Sequence, residues 1–245
     1  MFWFTKKKSP ARLFYHTDLH SHIIPGIDDG SQDVATSIDL LRHMQSWGIT
    51  HAIATPHVTA GTFENSLDTI DAPYRLLCDE ARRHDIDIEI SYSAEYRMDE
   101  NFRKMLDSGG TEFIPLPHNY LLVENSFMQP PIDLDNLLFT LQLKGYKPIL
   151  AHPERYSYYF HNKDIYKHLH SNGGMFQVNL LSFTGHYGKP QKELAWWLAR
   201  NGMVDFVGTD LHLAEHTRVI GEWLAGKEYQ RFEKELQNIK NDTLI

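Results

Sequence analysis

The chain has 245 residues, 42% of them hydrophobic and 12% aromatic, an ordinary globular composition that allows one sizeable core. Its 24 basic and 32 acidic residues leave a net charge of −8, which argues against a nucleic-acid binder relying on bulk positive charge. One cysteine, Cys78, excludes an intramolecular disulfide framework and fits a reducing compartment.

Residues 1–12 read as an N-terminal extension. Its start, Met1-Phe2-Trp3-Phe4-Thr5-Lys6-Lys7-Lys8, reverses the order of a secretory signal, and a frayed end is expected of it rather than a membrane contact. No apolar run approaches the roughly 18 residues that span a bilayer. The protein is therefore expected to be cytoplasmic, with residues 13–245 as a single domain.

From Leu13 the pattern alternates short apolar runs with helical periodicity. Residues 13–19 read as a strand, and 32–47 as a helix whose Val34, Ile38 and Leu41 follow the three-and-four spacing up to Gly48. A second strand is expected over 49–55, then a helix from Asn65 or Ser66 to about His84, then an alternating third strand over 86–94. A short helix over 100–106 ends at Gly109-Gly110, and 120–123 is a wholly apolar strand. The pattern continues with a helix over 133–143, a strand over 148–151, a helix over 164–171 and a strand over 175–180. A helix over 191–201 and a strand over 204–209 follow, and an amphipathic helix over 228–241 closes the chain. Seven strand-then-helix units without a linker predict one parallel, barrel-like α/β domain.

Metal-type residues fall on this map at strand ends. His20 and His22 in DLHSH follow the first strand, with Asp29 in the loop after it; His57 follows the second, Glu95 the third and Glu124 the fourth. His152 follows the fifth, while Asp210 and His212 follow the seventh. In a parallel barrel that face carries the active site. Any one of these residues alone has a structural reading as a cap or polar core residue. Five histidines and four carboxylates together exceed what one tetrahedral ion needs, and suit two or three divalent cations sharing a bridging carboxylate. Without cysteine among the donors, manganese, iron and zinc all remain compatible.

Arg155, three residues after His152, is expected at the same mouth as a fork for phosphate oxygens, the alternative being an ion pair with a neighbouring acid such as Glu154. Asp28 is expected to shape the turn before Asp29. Tyr156, Tyr158, Tyr159 and Phe160 are expected to pack on the rim, and His43, His51, His84, His168 and His170 to be surface or structural. A cysteine-based phosphate loop is rejected, because the arginine it needs after Cys78 is His84 and the segment is helical.

The series DLHSH, PGIDDG, ATPH, AEY, LLVE, AHPERY and GTDLH resembles the PHP superfamily of metal-dependent phosphoesterases. More narrowly it resembles the bacterial protein-tyrosine phosphatases of capsule and exopolysaccharide synthesis, the CpsB/YwqE type. The resemblance spans residues 13–212. It implies a distorted seven-stranded (β/α)7 TIM-like barrel and a three-metal site described with manganese or iron, Mn²⁺ being the expected ion. Carried over residue by residue, one metal takes His20, His22, Glu95 and Asp210. A second shares Glu95 and takes Glu124 and His152, and a third takes Asp29, His57 and His212; Arg155 matches the phosphate-binding arginine. The implied partner is a phosphotyrosine protein, a bacterial tyrosine kinase; the alternative substrate is histidinol phosphate or another small phosphomonoester. The loops over 59–65 and 125–131 do not match and are expected to shape substrate choice.

Overall fold

In the computed structural model of the chain, residues 12–245 are described. The expected extension, residues 1–12, lies outside the described residues apart from Arg12.

Strand length and burial follow the apolar runs. In chain order the strands are β1 (Thr17–Asp18), β2 (His51–Ala54), β3 (His57–Thr59), β4 (Phe63–Glu64), β5 (Glu89–Tyr92) and β6 (Glu95–Arg97). Then come β7 (Tyr120–Glu124), β8 (Lys147–Ala151), β9 (Met175–Asn179) and β10 (Phe206–Gly208). They make a three-stranded sheet, β1-β2-β5, and a seven-stranded sheet, β10-β9-β8-β7-β6-β3-β4. Every pairing is parallel except the β3–β4 hairpin.

The helices are α1 (Val34–Ser46), α2 (Leu67–Arg83), α3 (Glu100–Asp107), α4 (Leu134–Leu143) and α5 (Lys163–Ser171). They continue with α6 (Leu180–Thr184), α7 (Lys189–Arg200), α8 (Ala214–Leu224) and α9 (Lys227–Glu235). Asp33 caps α1 by accepting from Thr36 N at 2.8 Å, and Asp99 caps α3 by accepting from Phe102 N at 3.0 Å. One apolar cluster running from Leu13 to Leu236 includes the inner faces of the helices. A second cluster gathers Leu19, Ile53, Leu122, Ile149 and Phe206 from strands of both sheets.

Among the described residues ten strands appear where seven were expected: two expected strands each break in two, and β4 adds a hairpin. The expected strand over 49–55 ends at Ala54, because Pro56 has no N–H to continue a ladder. The chain leaves the small sheet there and re-enters the large one at His57. The strand over 86–94 does the same at Ser93-Ala94 and resumes at Glu95. His57 and Glu95 are thus not in loops after strands: each opens a new strand, and they are paired in register. The expected last helix over 228–241 ends at Glu235, and α6 and α8 were not anticipated.

Residues just beyond β1 and β10 also pair. Ser21 and Leu211 form a parallel bridge, and Asp210 N donates to His20 O at 2.8 Å. Buried Asn241 ties the C-terminal segment to this seam, its Nδ2 donating to Thr17 O at 2.9 Å and to Val207 O at 2.7 Å. Among the described residues no helix is long and apolar enough to cross a membrane.

Candidate metal centre

All nine expected donors converge on one place. The site begins with the HxH pair, whose outer ring nitrogens are committed: His20 Nδ1 lies 2.7 Å from Gln177 Oε1, and His22 Nδ1 lies 2.7 Å from Asp28 Oδ2. These partners leave both Nε2 atoms, 3.3 Å apart, facing the same space. Glu95 Oε2 lies 3.3 Å from His20 Nε2, 3.6 Å from His22 Nε2 and 3.0 Å from His57 Nδ1. Its other oxygen is 3.0 Å from His152 Nε2. Glu124 lies between His57 and His152, at 3.6 and 3.9 Å, and Arg97 Nη2 holds its Oε1 at 2.9 Å.

Asp29 joins the opposite side, 3.4 Å from His57 Nε2 and 3.6 Å from His212 Nε2. Asp210 Oδ1 is within 3.5 Å of His20, His22 and His212, while Oδ2 accepts from Arg155 Nη1 at 2.9 Å and Asn179 Nδ2 at 2.6 Å. His152 and Asp210 have left-handed backbones, with φ of 34° and 51°. Such conformations are uncommon outside glycine and concentrate where a site fixes them.

The donors fall into four sets whose ligand atoms lie within 4.8 Å of one another: His22-Asp29-His57-His212, His20-His22-Glu95, His20-His152-Asp210 and His57-Glu95-Glu124. The expected trio Asp29, His57 and His212 is one of these with His22 added. Asp210 groups with His20 and His152, and Glu124 lies slightly nearer His57 than His152.

The chemistry of this donor set fits cations. Glu95 Oε2, Glu124 Oε2 and His57 Nδ1 are buried and make no hydrogen bond, although they face one another. Burial alone would lower the His20 and His57 pKa values, but the neighbouring Glu95 lifts them to about 9 and about 10. Burial, with Glu95 beside it, pushes Glu124 up to about 7. Burial brings His152 down to about 4 against the pull of Glu95. Against its own burial, Asp210 is held well below the usual carboxylate range by His20 and His212. The carboxylates demand positive charge at this point, and a divalent cation would take the place of the imidazole protons.

Arg155 reaches the mouth as expected, with its guanidinium carbon 4.2 Å from the Tyr187 ring centre and 4.8 Å from that of Phe127. It does pair with an acid, Asp210 at 2.9 Å, rather than with Glu154, which is buried and accepts from Ser182 Oγ at 2.6 Å and Asn179 N at 3.0 Å. Asp28 does more than shape a turn, since it orients His22 and also accepts from His57 N at 3.1 Å. Gln177, Asn179 and Tyr187 are site residues that sequence reasoning missed; the first two lie on β9, the strand that ends in no metal-type residue. Tyr156 is buried and donates to Ala151 O at 3.0 Å, a packing role. Cys78 lies on α2 and burial pushes its thiol up, the opposite of an activated nucleophile.

Comparison with known proteins agrees with this geometry. The sequence model of the family described as "Capsular polysaccharide synthesis, CpsB/CapC" matches residues 16–240. The chain is 32% identical over 201 residues to tyrosine-protein phosphatase YwqE of Bacillus subtilis, covering 80% of this chain and 76% of that protein. It is 27% identical over 203 residues to tyrosine-protein phosphatase CpsB of Streptococcus agalactiae, covering 80% and 82%. A solved structure from the work on YwqE and the Streptococcus pneumoniae CpsB, described as unique metal-dependent tyrosine phosphatases, superposes with a TM-score of 0.75 at 29% identity, covering 91% of this chain and 94% of that one. With the match running through the whole donor series, the chain belongs to the CpsB/CapC family.

Proposed function

We propose that the chain is a metal-dependent protein-tyrosine phosphatase, a phosphoric monoester hydrolase acting on a phosphorylated bacterial tyrosine kinase that regulates capsular or exopolysaccharide synthesis. The observation that carries this reading is Glu95 facing four imidazoles at once, with Arg155 at the same mouth. The activity in the names of the relatives supports it.

The residues that would hold two or three divalent cations are His20, His22, Asp29, His57, Glu95, Glu124, His152, Asp210 and His212. Mn²⁺ is the first choice, with iron or zinc as the alternatives for a histidine–carboxylate set. When bound, such cations supply charge neutralisation at the phosphoryl group and acidify water toward neutral pH. Gln177 and Asp28 hold His20 and His22 in the ligating tautomer. Arg155, fixed between Phe127 and Tyr187, keeps N–H groups beyond its Asp210 bond to donate to phosphoryl oxygens. A tyrosine leaving group has a pKa near 10 and departs with less protonation than an aliphatic alkoxide requires, so no general acid is assigned.

We read residues 13–245 as one PHP phosphatase domain, a distorted seven-stranded (β/α)7 barrel, with residues 1–12 as an extension. The Ser21–Leu211 bridge and the second apolar cluster support that reading. The single cysteine supports a cytoplasmic site of action.

The test is metal analysis of purified protein beside hydrolysis of a phosphotyrosyl peptide. Chelation should abolish turnover and Mn²⁺ should restore it, and His152→Ala should lose metal and activity together. Undiminished hydrolysis by fully chelated protein would end the reading.

A further inference from the structure

The cavity is lined by charged groups, Arg155 among them, and by large apolar rings as well. The cavity has a volume of about 440 Å³, and its lining includes Phe63, Phe127, Tyr187 and Leu213 beside donors such as His57, His152 and Asp210. Tyr187 and Phe127 both pack against the Arg155 guanidinium, and Phe127 extends further, over His152. The two phenylalanines sit on either flank of Glu95. Phe63 stacks on His57 with ring centres 5.6 Å apart and planes 14° apart; Phe127 stacks on His152 at 5.6 Å and 18°. Both come from the two segments, 59–65 and 125–131, that the family resemblance left unmatched, Phe63 opening β4.

Phe127 remains 40% exposed and Leu213 51% exposed beside a highly polar floor. Large apolar side chains open to solvent in a concave site mark the place for an apolar part of a ligand. The phosphoryl end of that ligand is anchored by Arg155. In an aryl phosphate the ring is bonded directly to the ester oxygen, so it must lie next to the phosphoryl group, within reach of Phe127, whose ring centre is 4.8 Å from the Arg155 guanidinium carbon. An alkyl phosphate places only a methylene there.

We infer that Phe63 and Phe127 form the seat of the substrate's aryl ring, and that the preference for aryl over alkyl phosphomonoesters resides at this mouth. The inference rests on the phosphatase reading above and adds to it which residues select the leaving group. An aromatic contact of this kind contributes a factor of roughly three to ten per ring.

The test uses full-length Mn²⁺-loaded protein and two non-hydrolysable probes, phenylphosphonate and methylphosphonate, with affinities measured by calorimetry. Wild type should bind the phenyl probe more tightly. Phe63→Leu and Phe127→Leu, which keep apolar bulk but remove the ring, should each reduce the phenyl-to-methyl affinity ratio by roughly three- to tenfold, with metal content unchanged. The ratio of kcat/KM for a phosphotyrosyl over a phosphoseryl peptide should fall in parallel, through KM. Equal weakening of both probes would overturn the inference, because the rings would then only shield the donors. So would an unchanged ratio, or a wild type that binds both probes alike. The phosphatase reading is decided separately, by whether wild type hydrolyses any phosphomonoester at all.

Discussion

Arg155 Nη1 donates to Asp210 Oδ2 at 2.9 Å, while the other oxygen of Asp210 faces His20 and His22. Arg155 and the donor cluster are thus joined through one carboxylate. Asp210 has a second anchor, Asn179 Nδ2 at 2.6 Å, so it does not depend on Arg155 for its position. Arg155→Ala should therefore retain its metal but lose about two to three orders of magnitude in kcat/KM, the scale of a lost charge-stabilising donor. Metal content by mass spectrometry and phosphate inhibition constants check this, and metal lost in step with activity would contradict it. Arg155→Lys should recover only part of the loss, because an ammonium cannot reproduce the guanidinium fork or its stacking on Tyr187.

The residues behind the histidines should matter for affinity rather than for folding. Asp28 and Gln177 fix the tautomers of His22 and His20 through 2.7 Å contacts. Asp28→Asn and Gln177→Leu should each weaken metal binding about 10- to 100-fold, measured by competition with a chelator, with activity recovering at high Mn²⁺. A variant that folds normally and binds metal like wild type would remove the orienting role.

Much of the site is legible in the sequence because metal donors carry their own signal. A histidine or carboxylate directly after an apolar run stands out wherever it falls, and parallel topology sends every such end to one face. Gln177, Asn179 and Tyr187 carry no such signal: neutral amides and a tyrosine are common in strands and loops, and only the fold shows that they touch His20, Asp210 and Arg155. The donors His57 and Glu95 are readable, but the strands they open are not. An apolar run looks continuous across Thr55-Pro56 although the ladder breaks there, and nothing in 49–55 tells one sheet from the other. Helix α8 does carry a signal, Ile220, Trp223 and Leu224 at three-and-four spacing, but it is masked by the GTDLH motif just before it.

Two glycines give opposite expectations. A Cβ on Gly208 would lie 2.6 Å from His20 Cβ and 2.7 Å from Gln177 Nε2, with no space to yield without moving a donor. Gly208→Ala should destabilise the fold by about 1–3 kcal/mol through overpacking and weaken metal binding as well. A Cβ on Gly221, inside α8, would meet nothing within 4 Å, and Gly221→Ala should stabilise by about 0.5–1 kcal/mol. Thermal unfolding of the two variants beside wild type separates the effects, and a Gly208→Ala protein with wild-type melting and metal content would refute the packing argument.

Acid stability should depend on Asp205, far from the mechanism's charges. Burial alone would raise its pKa, but His170 Nε2 at 3.0 Å, Lys240 Nζ at 2.6 Å and Phe176 N at 3.0 Å hold it below the usual carboxylate value. The backbone carbonyl of the same residue accepts from Lys240 N at 2.7 Å, so Asp205 fastens the C-terminal segment to the sheet twice. Because the folded pKa is lowered, the stabilisation is fully present above the unfolded value of about 4. It is lost as the pH falls from there through the folded pKa. Asp205→Asn should cost about 1–3 kcal/mol at neutral pH, and the gap between variant and wild type should narrow as the pH is lowered below about 4. Urea unfolding of both proteins from pH 7 down to pH 3 measures that gap, and a difference that stays constant over the whole range would show that the carboxylate's charge has no part in holding the segment.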